Sequence, residues 1–276
     1  MRIITSTASL FRPEEGSQMG IAILPTSVSL GEQSLRDYVD TEADGFVELL
    51  RQNAVPHTSQ PSVGEMLEAL GESDEETIML TVGDGLSGEY ATALGVRNTL
   101  PYKDRIHIID SGSLGGPLRY LAKKAVALRA QGFPVRDIVS QLTECAASSS
   151  SFVIPADFQY LRRSGRITQL TSKIGSALKL LPVMTQTEDH RRITLLTVKR
   201  TWKSAVDAIL DNLRKQGVDE NYLISVEYAD TRGLAEKVLQ QVRERFPHTE
   251  NELMQLSPTL ITHGGPGCIV VQSIRK

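Results

Sequence analysis

The chain is poor in the residues that mark several protein classes. Its 276 residues include only two cysteines, Cys145 and Cys268, far apart in sequence. That excludes the disulfide framework of small secreted domains; two buried thiols in a reducing compartment is the simpler reading, with a pairing left open by spacing alone. Aromatic residues make up 5%, too few for base-stacking platforms. Lys and Arg number 30 against 33 Asp and Glu, for a net charge of −3, so neither sign dominates. That balance argues against nucleic acid or an anionic membrane surface as a partner. No stretch approaches the ~20 apolar residues that span a bilayer. The opening Ile3-Ile4 turns polar at Thr5-Ser6-Thr7, too short for a secretory apolar region. The histidines (His57, His107, His190, His248 and His263) and the cysteines form no metal-ligand spacing, so no metal is expected. The composition predicts a cytoplasmic protein without stable membrane insertion. No internal repeat is visible, and the one low-complexity run is Ser148-Ser149-Ser150-Ser151.

What is present is 40% hydrophobic residues, enough for a full core in one large domain or two modest ones. In the first part, strand-like runs at 1–4, 21–24, 77–82 and 105–109 alternate with helical stretches. The segment 35–52 carries apolar residues partly at helical spacing, with Gly45 as a weak point. A helix over 118–130 ends at Gly132, and Pro134 starts the next one. Strands separated by helices of this length argue for a mainly parallel sheet with helices on its faces. After about residue 155 the pattern changes. Runs at 178–185 and 191–198 flank Gln186-Thr187-Glu188-Asp189-His190 as a hairpin. A helix over 201–216, a strand over 222–226, a helix over 231–245 and strands at 252–256 and 268–273 follow. The expectation is an α/β protein of two domains. Residues 1–155 form an N-terminal unit with a mainly parallel sheet flanked by helices. Residues 156–276 form a C-terminal α+β unit with a mixed or antiparallel sheet, and the ligand site lies between them.

Two short segments stand out. Thr58-Ser59-Gln60-Pro61-Ser62 leads into a helix start, with Ser62 and Glu65 as a capping box ahead of Met66, Leu67 and Leu70. Leu86-Ser87-Gly88-Glu89-Tyr90 follows an apolar strand and precedes a second helix. Helix starts offer N–H groups and a positive dipole end, so two of them with hydroxyl donors fit a carboxylate or phosphate. The same region contains Gly83-x-Gly85-x-x-Gly88, with Asp110 at the end of the next strand. That is a literal dinucleotide fingerprint and gives the alternative of a nucleotide-dependent oxidoreductase. Against it, some 75 residues precede the strand, and Glu89 would put negative charge at the pyrophosphate. Gly85-Leu86-Ser87-Gly88-Glu89 misses the nucleophile elbow by its last glycine. His263-Gly264-Gly265-Pro266-Gly267 reads as a glycine-dense loop before the final strand. Tyr160 to Ile167 reads as a helix end with three arginines, of which Arg162 and Arg163 suit the dipole and Arg166 lies beyond Gly165.

Taken in order, these segments, together with Ile109-Asp110-Ser111 and Lys199-Arg200-Thr201, resemble the signatures of the DegV family of fatty-acid-binding proteins across essentially the whole chain. The resemblance implies two α/β domains with a long-chain fatty acid buried between them. It implies that the hydroxyls of Thr58 and Ser87 hold the carboxylate, with His263 close by and with Ser59 and the Ser87-Gly88 backbone in support. Arg166 and Arg200 match arginines near the head group or the docking face. The family presents the acyl carboxylate to a separate kinase subunit, which phosphorylates it with ATP, so the resemblance implies no catalytic residue and no cofactor in this chain. Two departures stand out. The family opens with Asp-Ser-Thr-Ala-Asp-Leu, whereas this chain has Thr5-Ser6-Thr7-Ala8-Ser9-Leu10, with both acids replaced by hydroxyls. The family's Ser-Gly-Thr-Tyr is Ser87-Gly88-Glu89-Tyr90 here.

Such a ligand is energetically consistent. Each buried CH₂ contributes roughly 0.8 kcal/mol, so a sixteen-carbon chain gains on the order of 12 kcal/mol before the entropy losses of association. Neutral hydroxyls and helix-start amides can then satisfy the carboxylate without a buried counter-ion. Ile174, Leu178, Leu180, Leu181, Val183 and Met184 are candidates to line the tunnel.

Overall fold

The computed structural model describes residues 1–52, 55–168 and 180–276. The chain opens with strands β1 (Arg2–Ser6) and β2 (Ala22–Leu24), separated by helix α1 (Pro13–Gln18). A small antiparallel sheet follows, from β3 (Ser27–Leu30), β4 (Gln33–Arg36) and β5 (Pro56–Ser59), with α2 (Ala43–Arg51) inserted before β5. After α3 (Val63–Gly71) come β6 (Thr77–Thr81), α4 (Glu89–Thr99) and β7 (Ile106–Asp110). Strands β2, β1, β6 and β7 pair in that order, all parallel. Every residue of β6 is buried, because helices cover both faces of this sheet. The period of two divides its side chains. Ile3, Ile78 and Leu80 pack with α5 (Gly115–Ala130) and α6 (Val135–Ala147). Ile4 and Met79 pack with Met66 and Leu70 of α3 and Ala93 and Val96 of α4.

The second half is built on a six-stranded mixed sheet. It comprises β8 (Ser150–Ile154), β9 (Leu181–Gln186), β10 (Ile193–Lys199), β11 (Tyr222–Tyr228), β12 (Glu250–Gln255) and β13 (Ile269–Arg275). Their order is β10-β9-β8-β13-β11-β12, with β11 and β12 parallel and the other neighbours antiparallel. Helix α7 (Phe158–Ser164) follows β8, α8 (Trp202–Lys215) and α9 (Arg232–Arg245) flank β11, and α10 (Pro258–Gly264) precedes β13. One face packs on α8 and α9 through Phe152, Ile154, Ile269 and Val271. The opposite face offers Val270 to α10 and α2, and Ile274 to the core built around α5 and α6. Helix α5 thus lies between the two sheets, and the protein is the expected α/β fold of two sheet-based units. Strand β8, on the N-terminal side of the 155/156 division, is hydrogen-bonded into the six-stranded sheet.

Two local readings are corrected, and one hairpin the sequence reading missed is added. The segment 35–52 is a strand and a turn followed by a nine-residue helix, since only Ala43, Phe46, Val47 and Leu50 share a buried face. The β3–β4 hairpin was legible in Gly31-Glu32 between two short alternating runs, and Gly31 has φ +61°. His263 lies in α10 and not in a loop. Its helix start is marked by Ser257, whose Oγ accepts from the Leu260 amide, and by Pro258 in the first turn.

Candidate functional site

Two adjoining cavities lie between the N-terminal loops and the six-stranded sheet. The larger, about 310 Å³, is lined by Thr58 and Ser59 at the end of β5, Ser87 and Gly88 at the start of α4, Arg166 beyond α7, and His263 on α10. The smaller, about 90 Å³, is apolar, with Val153, Leu161 and Val270 among its lining residues. Leu86, Leu114, Leu260 and His263 line both, so a polar end continues into an apolar one.

Local structure explains how each side chain arrives. Thr58 pairs with Val28 of β3, and strand alternation half-buries it while His57 and Ser59 are exposed. The chain then turns into α3 through the capping box, in which Ser62 Oγ accepts from the Glu65 amide and the Glu65 carboxylate accepts from the Ser62 amide. Ser87 Oγ accepts from the Glu89 amide at 3.2 Å, which leaves its hydroxyl proton to donate. Arg166 Nε donates to the Leu86 carbonyl at 3.1 Å, tying the loop after α7 to the loop before α4. Thr58 Oγ1 and His263 Nε2 lie 3.1 Å apart, while His263 Nδ1 is buried without a partner among the described residues. Burial, and secondarily the charge of Arg166, push the His263 pKa down to about 3, so the imidazole stays neutral at ordinary pH. Burial also lowers the Arg166 pKa, yet a guanidinium remains a cation.

The structure therefore brings Thr58, Ser59, Ser87, Gly88, His263 and Arg166 to one cavity. Arg200 is exposed between β10 and α8 and is not among the lining residues. Of the residues expected to line the acyl tunnel, Ile174 and Leu178 lie outside the described residues. Leu180 is exposed, Val183 is in the core beneath α8, and Met184 packs with Leu161 and Ile167. The apolar cavity instead takes the face of β8 and β13 that carries Val153 and Val270.

Sequence reasoning missed a hydroxyl network behind the polar cavity. Thr26 Oγ1 lies 2.8 Å from Thr7 Oγ1 and 2.6 Å from Thr259 Oγ1, and it donates to Asp37 Oδ2 at 3.1 Å. Thr26 and Thr259 line the cavity. Burial raises the Asp37 pKa to about 6, against the hydroxyls of Ser257, Thr259, Thr26 and Thr7, which lower it. Nothing in the sequence separates Asp37 from the surface acids. Glu89, by contrast, was visible as a departure from the family pattern, and the structure places it, fully buried, at this same cavity.

The dinucleotide alternative finds no support. Asp110 Oδ1 accepts from the amides of Asp84, at 3.0 Å, and of Gly112, at 2.9 Å, so it fastens two loops where a ribose ligand would need it free. The glycines have packing reasons. A Cβ on Gly83 would sit 2.7 Å from the Gly112 carbonyl carbon. Gly85 has φ +89°, and a Cβ there would meet the Arg191 carbonyl at 2.8 Å, where the β9–β10 hairpin rests on the loop. Arg191 also forms an ion pair with Asp84.

The DegV family profile, described as an uncharacterised protein of that family, matches residues 1–276. The chain belongs to the DegV family. A DegV domain-containing protein of Halalkalibacterium halodurans is 27% identical over 275 residues, covering 97% of this chain and 95% of that one. The crystal structure of DegV from Bacillus subtilis, a fatty-acid-binding protein, superimposes with a TM-score of 0.85 at 25% identity, covering 100% of this chain and 99% of that one. A DegV protein of Thermus thermophilus with fatty-acid binding shares the fold, with a TM-score of 0.88 at 23% identity and 100% of both chains covered. Among the described residues, no helix of this DegV protein is long and apolar enough to cross a membrane.

Proposed function

We propose that this DegV protein binds one long-chain fatty acid between its two sheet-based units and catalyses no reaction itself. The observation that carries the reading is the junction of the two cavities, where a hydroxyl-lined end opens at Leu86, Leu114 and Leu260 into an apolar end. The binding described for the Bacillus subtilis relative supports it. The carboxylate is held by the hydroxyls of Thr58 and Ser87, assisted by Ser59, the Gly88 backbone and His263. The neutral imidazole donates its Nε2–H to Thr58 Oγ1, because the other tautomer would bury an unpaired N–H at Nδ1. Thr58 then turns its own proton toward the carboxylate. Arg166 supplies the nearby positive charge.

The protein acts in the cytoplasm as a carrier that presents the acyl carboxylate to the ATP-binding subunit of a fatty acid kinase, which forms the acyl phosphate. Arg200, exposed and away from the cavity lining, belongs to the docking face in this account. The boundary of the two units, expected at 155/156, is drawn in this proposal just before β8, since β8 pairs into the six-stranded sheet. Replacing both Thr58 and Ser87 by Ala is expected to abolish fatty-acid retention while the protein stays folded by circular dichroism. Unchanged retention in the folded double variant contradicts the head-group assignment.

A further inference from the structure

Glu89 also lines the head-group cavity. It is the first residue of α4 and has no solvent exposure. One carboxylate oxygen, Oε2, accepts from the Ser6 hydroxyl at 3.2 Å, and the Val82 amide also hydrogen-bonds the group. The other, Oε1, is buried without a partner among the described residues. Burial raises the Glu89 pKa to about 7, against those two hydrogen bonds, which lower it. The charged and titratable groups near it are few. From α10 comes His263, which is neutral, and from the loop after α7 comes Arg166. From the turn after β4 comes Asp37, reached only through Thr26. On β1 and in the helical turn after it, Thr5 and Ser9 stand where the family pattern has acids, and both are buried.

Asp37 lies behind Thr26, off the lining, and its charge is constant above about pH 7, so among the lining groups the balance there is decided by one proton. With Glu89 neutral, a carboxylate ligand and Arg166 cancel. With Glu89 ionised, the described side chains of the cavity already balance before the ligand arrives, and a second anion enters a low-dielectric space uncompensated. We propose that Glu89 determines which head groups the site accepts: an anionic carboxylate enters only with Glu89 as the neutral acid, so at a pH where the free protein carries Glu89 ionised, each carboxylate bound is accompanied by uptake of one proton at Glu89. An uncharged head on the same chain, such as a fatty alcohol, has no such requirement. The proposal rests on the fatty-acid reading above.

The test compares hexadecanoic acid, below its aggregation concentration, with hexadecanol. Each displaces a fluorescent fatty acid from lipid-stripped protein between pH 6 and pH 9. The wild type, Glu89→Gln and Glu89→Thr are measured, the last restoring the residue of the family pattern. Above about pH 7 the acid's affinity for the wild type is expected to fall close to tenfold per pH unit, as one linked proton requires. The alcohol's affinity stays constant, and both variants bind the acid without that slope. Titrations at pH 8.5 in buffers of differing ionisation heat show close to one proton taken up by the wild type and none by Glu89→Gln. Parallel acid profiles for wild type and both variants overturn the proposal while leaving the fatty-acid reading intact. Absence of acid binding at every pH in all three proteins overturns both. Should one variant fail to fold, the other and the wild-type contrast between acid and alcohol still decide.

Discussion

Replacing Thr58 by Val removes one hydroxyl and keeps a β-branched side chain of similar shape on β5, opposite Val28. The backbone pairing is untouched. Two interactions disappear. One is the contact with His263 Nε2 at 3.1 Å, and the other is the donor to the ligand carboxylate. A hydrogen bond to a charged group contributes about 1.5–3 kcal/mol, and 1.4 kcal/mol is tenfold in affinity. The dissociation constant for a sixteen-carbon acid should therefore rise about 10- to 150-fold. The half-buried pair with His263 is neutral and contributes only about 1 kcal/mol to folding, a shift of roughly 2–4 °C in Tm for a chain of this size. Affinity and stability should thus separate. The assay is displacement of a fluorescent fatty acid at pH 6.5, alongside a thermal melt. Thr58→Ser keeps the donor and should stay within about threefold of wild type. If Thr58→Val binds within twofold of wild type, Thr58 does not hold the carboxylate and the reasoning is refuted.

Three further outcomes follow from the same structure. Glu227 is fully buried, and its Oε1 accepts from the Gly116 amide at the start of α5 and from the Ser225 hydroxyl, while burial raises its pKa to about 8. A carboxyl raised in the folded state binds its proton more tightly there, so its stabilisation is present below about pH 4.5 and is lost as pH rises through 8. Glu227→Gln should flatten that loss, by at most about 4 kcal/mol, in denaturant melts at pH 5 and pH 8.5. Gly85→Ala forces a Cβ at φ +89° against the Arg191 backbone and should destabilise by about 1–3 kcal/mol, read as a lower urea midpoint. Val270→Phe fills the apolar cavity and should weaken binding of sixteen-carbon acids more than of eight-carbon acids in the displacement assay.

How much was legible in the sequence depended on where the signal was local. The capping box at Ser62 and Glu65, the parallel alternation of β1, β6 and β7, and the β9–β10 hairpin are written in residues within a few positions of one another, and all appear as read. Thr58 and Ser87, singled out for their place beside helix starts, line one cavity. The tunnel lining was not legible, because periodicity marks a residue as buried without saying on which face. Val183 and Val270 look alike in sequence, but the first packs beneath α8 and the second faces the N-terminal half. The Thr7–Thr26–Thr259–Asp37 network joins residues up to 233 positions apart, for which a single sequence carries no signal. Gly83, Gly85 and Gly88 carried a real signal of close packing, but the neighbours are the Gly112 turn, the β9–β10 hairpin and the Gln60 side chain in place of a pyrophosphate. Arg200 matched a family motif by sequence alone, and the fold leaves it exposed and off the cavity lining.

The measurement that bears most directly on the central claim is mass spectrometry of the organic extract of the denatured protein, purified from a bacterial host. A long-chain fatty acid close to one per chain is the result this account predicts, and its length and unsaturation would report what the cavity selects. Folded protein whose extract contains no lipid, and which takes up none when offered, would contradict it.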